Sequence, residues 1–345
     1  MRYRLFGRRS GLRVSEIALG TGKFGTTVPA QQAAAVLAGY ADAGGRFLDT
    51  APGYQGGQAE LLVGRFLGRE RQQWVIATKY GIGTERTEGF VERGNGRRVM
   101  IRSVEQSLKR LGTDYIDLLF THGYDAHVPV EETLAAFDSL VTSGKVLHVG
   151  LGNYPAWKIA RAATITELRG LTALAGITTE YGPAERDAER EILPAAEALG
   201  LGVTAWSVLG GGFLAREPDP PGTPPASHLP HWTEAGRPGP REAGVHEAVA
   251  AVAAETGLPR ATVGYAWLLE RARTSSTALI PVLGASSPTQ LAGSLNALSV
   301  TLSPEHLARI DDAGTPALGE PHVHNFHSDP LVEGGPYHRP AVPVA

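Results

Sequence analysis

The chain alternates short, almost wholly apolar runs with longer stretches whose apolar residues recur every three or four positions. The short runs predict strands at Glu16–Leu19, Phe47–Asp49, Trp74–Thr78, Tyr115–Phe120, Val146–Gly150, Ala173–Thr179, Gly202–Trp206 and Ala278–Pro281. The periodic stretches predict helices at Ala30–Ala43, Ala59–Leu67, Met100–Arg110, Glu131–Val141, Ala156–Leu168, Ala188–Ala198, Val245–Thr256, Ala261–Arg271 and Pro288–Leu298. Strands that alternate with helices build βαβ units and a parallel sheet, and runs without polar alternation belong to strands covered on both faces. The expected fold is therefore α/β. Eight such units favour a closed (β/α)8 TIM barrel, although the count alone also accommodates an open doubly wound sheet. Gly20-Thr21-Gly22-Lys23-Phe24-Gly25 has the glycine spacing of a dinucleotide-binding turn, but no helical pattern starts at Gly25. Tyr3–Leu5 and Leu12–Val14 are expected to pair as a hairpin that closes the barrel bottom.

Two segments break the alternation. Glu217–Arg241, after the seventh strand, holds eight prolines in 25 residues, and Thr315–Ala345 holds six prolines and four histidines in 31 residues. Such proline density excludes helix and central strand. The expected organisation is a barrel over residues 1–314, a long loop after strand seven, and a tail over 315–345 that covers the barrel mouth or frays. His322-Val323-His324-Asn325-Phe326-His327 matches no closed ligand set, so no metal is expected.

Composition narrows the classes. The chain has 345 residues, 42% of them apolar, no cysteine, and a net charge of −3 from 32 basic and 35 acidic side chains. The absence of cysteine excludes disulfides, thiol catalysis and zinc–thiolate sites. Near-neutral charge argues against nucleic acid as a partner, and no apolar run reaches membrane-spanning length. The start, Met1-Arg2-Tyr3-Arg4-Leu5, lacks the apolar core of a signal peptide, so a cytoplasmic protein is expected, as a monomer or homo-oligomer.

The candidate chemistry lies at the C-terminal ends of the strands, where a barrel carries its active site. Strand two ends at Asp49, with Tyr54 just beyond. Strand three runs into Lys79 and strand four into His122. A charge after an apolar run is costly unless paired. Acid, base and imidazole from three successive strands, with a tyrosine nearby, make a proton-transfer site. A lysine ammonium beside a phenol lowers its pKa, Asp49 would hold that lysine, and His122 would hydrogen-bond a substrate oxygen. Lys23, in the first loop, reads as a mouth residue.

These residues also carry a resemblance. Phe47-Leu48-Asp49-Thr50-Ala51 with Tyr54, Ile76-Ala77-Thr78-Lys79, Ser107 through Leu119, His122, Gly144-Lys145-Val146 through Asn153, and Ala205-Trp206-Ser207 through Leu214 together resemble the aldo-keto reductase superfamily. The resemblance runs from about Arg4 to Ala313. It implies a (β/α)8 barrel reducing an aldehyde or ketone with NADP(H), NAD(H) being the alternative. Tyr54 would be the general acid, Lys79 and Asp49 would tune it, and His122 would orient the carbonyl. The cofactor would be held by Gly22, Asn153, Thr178, Trp206, Ser207, Leu209, Gly210, Gly284, Ser286, Ser287 and Gln290. Trp206 taken alone would be read as a core aromatic.

Departures from the family pattern accompany these matches. Gly152 replaces the serine before the asparagine, and Thr178 replaces a glutamine. No lysine or arginine stands between Arg273 and Arg309, where the family often places a partner for the 2′-phosphate. Gly293-Ser294 replaces a Glu-Asn pair. Weak cofactor binding is therefore expected. Two alternatives follow: a non-redox acid–base enzyme on the same barrel, catalysing elimination or isomerisation, and a cofactor-binding regulatory subunit.

Overall fold

A computed structural model describes residues 1–83, 93–217 and 239–324. The hairpin β1 (Tyr3–Leu5) and β2 (Arg13–Ser15) precedes eight barrel strands: β3 (Ala18–Gly20), β4 (Phe47–Asp49), β5 (Val75–Tyr80), β6 (Ile116–Thr121), β7 (Val146–Gly152), β8 (Leu174–Glu180), β9 (Gly202–Trp206) and β10 (Leu279–Gly284). All eight pair in parallel, and β10 joins β3 to close the barrel. An open sheet is excluded. The helices are α1 (Ala30–Asp42), α2 (Gln58–Leu67), α3 (Arg97–Leu111), α4 (Val130–Thr142), α5 (Ala156–Arg169), α6 (Ile192–Leu199), α7 (Pro240–Thr256), α8 (Arg260–Thr274), α9 (Pro288–Leu295) and α10 (Pro304–Gly314).

Three of these depart most from expectation. The helix expected from Ala188 begins at Ile192, with a separate 3-10 turn at Asp187–Glu189. The loop expected to run to Arg241 ends at Gly239, because Pro240 opens α7; a fixed φ and a missing N–H suit the first turn of a helix. The rest of that loop, residues 218–238, lies outside the described residues. The sequence pattern also passed over α10. Ser303 caps it, accepting from the His306 N–H at 3.2 Å, and Pro304 stands at its first position. Asp311 on α10 then accepts from Trp267 Nε1 at 2.8 Å and Arg271 Nη2 at 2.6 Å, both on α8.

The strand faces divide two cores. Ile17, Leu19, Leu48, Ile76, Leu119, Val149 and Leu283 pack outward against the helices, while Phe6, Phe47, Ala77, Leu118, Phe120, Ile280 and Val282 fill the barrel. Phe6 enters from below, between the hairpin strands. Its ring meets Phe47 at 6.1 Å and Phe120 at 6.5 Å between centroids, both edge to face, a preferred aromatic arrangement. Gly176 and Gly202 make the room for it: a Cβ on either would fall 2.5 or 2.7 Å from the Phe6 ring. Burying one such ring contributes about 1.5–3 kcal/mol.

The tail begins beside α6. Arg190 donates to the Ala317 carbonyl at 2.6 Å, and His322 Nε2 stands 3.7 Å from Glu191. Residues 325–345, with the expected cover over the mouth and the rest of the histidine cluster, lie outside the described residues. Among the described residues no helix is long and apolar enough to cross a membrane, and no His, Asp and Glu group could hold a metal ion.

Candidate active site

Side chains two apart on a strand share a face. Phe47 therefore precedes Asp49 on the interior side, Ala77 precedes Lys79, and Phe120 precedes His122. The apolar floor and the polar rim are successive layers of the same strands. Tyr54 comes from the 3-10 turn Tyr54–Gly57 that follows β4. Lys79 Nζ donates to Asp49 Oδ1 at 2.7 Å, to the Thr50 carbonyl at 3.0 Å and to the Tyr54 hydroxyl at 3.0 Å. The His122 ring meets the Tyr54 ring edge to face at 5.8 Å. The structure thus brings Asp49, Tyr54, Lys79 and His122 into one cluster, and adds the Thr50 carbonyl to it. Asp49 is 3% exposed and Lys79 4%.

Burial and charge compete at each group. Burial pulls the Lys79 pKa down, but the Asp49 carboxylate and the Tyr54 oxygen outweigh it, and the ammonium is held above its ordinary value. Burial pushes the Tyr54 phenol up, and Lys79 only partly offsets that. This corrects the expected net lowering: Lys79 acts in the expected direction, yet the cost of a buried phenolate is larger. Tyr54 is thus a protonated reservoir whose conjugate base has a cation 3.0 Å away. His122 is pushed down to about 3, first by burial and then by Lys79, so its imidazole is neutral at ordinary pH. Its Nδ1 is buried without a partner.

Across the mouth, Asn153 follows β7 with φ 56°. Its Nδ2 donates to the His122 carbonyl at 2.8 Å, and its Oδ1 accepts from Trp206 Nε1 at 3.1 Å. Thr178, on β8, has a buried hydroxyl with no partner, as has Ser207. A Cβ on Gly152 would lie 2.0 Å from the Thr121 carbonyl and 3.0 Å from Thr178 Cγ2, so the family's serine does not fit this backbone. Beyond β9 the chain turns through left-handed positions at Ser207, Gly210, Gly211 and Gly212, with Leu209 at φ −99° between them. Within it the Gly210 and Gly212 N–H groups donate to the Ser207 and Leu209 carbonyls, at 2.7 and 3.1 Å, so the turn is held by its own backbone. Gly22 packs against the Tyr54 ring from the first loop. The partnerless hydroxyls of Thr178 and Ser207, beside Asn153, fit the polar end of a nicotinamide cofactor.

The stretch after β10 is more self-contained. Ser287 caps α9 by accepting from the Gln290 N–H at 3.2 Å, while Gln290 Oε1 accepts from the Ser286 N–H at 2.8 Å. Gly284 N donates to the Tyr265 hydroxyl at 3.3 Å. Arg241, in the first turn of α7, is tied to Glu242 at 3.2 Å, Asp187 at 3.3 Å and Glu185 at 3.8 Å.

Sequence reasoning missed Gln55. It has φ 50°, and its side chain bonds to the loop between β3 and α1. The only sequence signal is its place in Tyr54-Gln55-Gly56-Gly57, where two glycines mark an unusual backbone path.

Comparison with known proteins completes the picture. The profile of the Aldo/keto reductase family matches residues 16–315. The aryl-alcohol dehydrogenase GME11368 of Pestalotiopsis microspora is 31% identical over 333 residues, spanning 93% of this chain and 84% of that protein. Norsolorinic acid reductase stcV of Emericella nidulans is 32% identical over 346 residues, spanning 94% and 85%. The aldo-keto reductase ausK of Aspergillus calidoustus is 32% identical over 342 residues, spanning 93% and 84%. With a closed parallel barrel and a polar cluster at its strand ends, this chain belongs to the aldo/keto reductase family, oxidoreductases that use nicotinamide cofactors on small carbonyl substrates.

Proposed function

We propose that the protein reduces aryl aldehydes or ketones to alcohols, with Tyr54 as proton donor. The observation that carries this reading is the Lys79 ammonium bonded at once to Asp49, at 2.7 Å, and to the Tyr54 hydroxyl, at 3.0 Å. A reduced nicotinamide supplies the hydride when bound. As the carbonyl carbon accepts that hydride, the carbonyl oxygen gains negative charge and takes the phenolic proton of Tyr54. Lys79 stabilises the phenolate left behind, and Asp49 keeps Lys79 charged and aimed. Neutral His122 donates an N–H to the same oxygen. Asn153, Trp206 and the Thr178 hydroxyl would hold the nicotinamide end, and the 207–212 turn the pyrophosphate. Gly22, Gly284, Ser286, Ser287 and Gln290 would line the remaining contacts. The cofactor is NADP(H), with weak discrimination against NAD(H).

The aryl class is supported by the name of the aryl-alcohol dehydrogenase relative and by Ile82. That side chain is 53% exposed and lies beside Gly53, which precedes Tyr54 in the chain, so it offers an apolar surface close to the acid. The test is consumption of NADPH with an aryl aldehyde, in the parent and in Tyr54→Phe. Turnover should fall by roughly 10²–10⁴ in the variant while cofactor affinity holds. Equal turnover removes Tyr54 from the role. Failure of NADPH to bind favours the non-redox acid–base reading instead.

A further inference from the structure

We propose that Gln55 is a positioning residue: its side chain latches the loop between β3 and α1 onto the turn that carries Tyr54, and so fixes the acid against Lys79. The proposal rests on the reading of Tyr54 as proton donor.

Gln55 immediately follows Tyr54 and has φ 50° and ψ 40°, the left-handed region. Gly56 and Gly57 continue it at φ 63° and 89°. Left-handed backbone is unfavourable for a residue with a Cβ, so glycine would suit position 55 better on backbone grounds alone. Such strain persists only where its surroundings hold it in place. Here the holding contacts come from the side chain. Oε1 accepts from the hydroxyls of Thr26 and Thr27, the latter at 3.3 Å, and Nε2 donates to the Gly22 carbonyl at 3.1 Å. Both ends of the amide are spent on one loop.

That loop is also fixed at its root and along its flank. Thr21 donates its N–H and its hydroxyl to the Asp49 carbonyl, at 2.9 and 3.0 Å. A Cβ on Gly25 would fall 2.7 Å from Gln58 Cβ and 3.0 Å from Gln55 Cβ, so the two segments interlock without spare room. Gly22 faces the Tyr54 ring, with 3.8 Å from a Cβ position to the nearest ring atoms. The loop therefore runs as a brace from the Asp49 backbone to the Gln55 side chain, with the Tyr54 ring packed against it. The Coulomb effect of Lys79 on the phenol varies inversely with their separation. Releasing the latch lets the hydroxyl move off the ammonium, and the phenol holds its proton more tightly.

Two variants test the latch from opposite sides. Gln55→Gly suits the backbone and removes the side chain. Thr26→Val with Thr27→Val removes two donors and leaves the Tyr54 turn untouched. Both should fold normally. In each, kcat should fall about ten- to a hundredfold with little change in KM for the carbonyl, since small misplacements of a reacting group cost that much. The basic limb of the kcat profile should move to higher pH. Combining the variants should add little, because they cut one connection. The Tyr54 Cζ resonance in carbon-13 tyrosine protein, assigned by its loss in Tyr54→Phe, should shift in both variants. It reports the phenol's surroundings without turnover. Should the parent reduce no aryl carbonyl while the resonance still shifts, the latch stands and the reaction reading falls. Unchanged kcat, pH limb and resonance in Gln55→Gly, or fully additive effects, would overturn the latch.

Discussion

Trp206 and Asn153 hold each other across the barrel mouth: the indole N–H of Trp206 donates to Asn153 Oδ1 at 3.1 Å. Asn153 keeps a left-handed backbone at φ 56°, and its other amide group is tied to the His122 carbonyl at 2.8 Å. One side chain thus links the aromatic wall to the strand that bears the histidine. Trp206→Phe keeps a ring and removes the donor. A neutral hydrogen bond contributes about 0.5–1.5 kcal/mol, so NADPH affinity should fall by about two- to tenfold. Calorimetric dissociation constants check this; an unchanged value means Asn153 is oriented without Trp206.

Lys79→Met strips the partner from Asp49, which is 3% exposed and whose Oδ2 already lacks one. Leaving such a charge buried and unpaired costs roughly 3–5 kcal/mol. Turnover should vanish and the denaturant midpoint should drop together. Asp49→Asn added to Lys79→Met should recover part of the stability without the activity. A Lys79→Met protein of parental stability would show that the pair is not coupled.

His122 gives the pH dependence a sign. Burial first, and Lys79 second, hold its pKa at about 3 in the folded chain, against an ordinary value of 6.5. Between those values the unfolded chain binds the extra proton, so this contribution is complete above pH 6.5 and is lost as pH falls toward 3. The loss in stability from about pH 7.5 to about pH 4.5 should be smaller in His122→Gln than in the parent. The kcat profile should show no limb near the ordinary histidine value. A His122 imidazole titrating near neutrality by NMR, assigned by its loss in His122→Gln, would contradict both.

Ser286 offers a test of the proposed cofactor choice. Its side chain is free of the α9 cap, which Ser287 provides, so Ser286→Arg adds a cation without removing the cap. A charge-assisted bond contributes about 1.5–3 kcal/mol against about 0.5–1.5 for a neutral one. Preference for NADPH over NADH should rise about five- to thirtyfold over a weakly discriminating parent. A parent that already prefers NADPH by orders of magnitude would place the phosphate against another cation.

The strands were legible because burial on both faces demands unbroken apolar runs, and Phe47–Asp49 and Gly202–Trp206 end where the pattern ends. Others run one to three residues further, through Lys79 and Tyr80 on β5 or Gly284 on β10. A barrel strand turns polar where it reaches the site, so an apolar criterion stops short of the residues that matter most. The cluster of Asp49, Lys79 and His122 was visible for the same reason, as polar side chains at the ends of apolar runs. The acidity of Tyr54 was not, since it is a balance between burial and one cation that only packing decides. Gln55 was invisible because its role lies in a left-handed backbone and in partners about thirty positions upstream.

The three rings of Phe6, Phe47 and Phe120 stopper the barrel from beneath, and this governs traffic. Among the described residues these rings fill the floor, so what meets Tyr54 arrives and departs at the strand ends. Under the proposed reduction, whichever reactant lies deeper would board first and leave last, so a plug at the far end of the molecule would set the order of turnover.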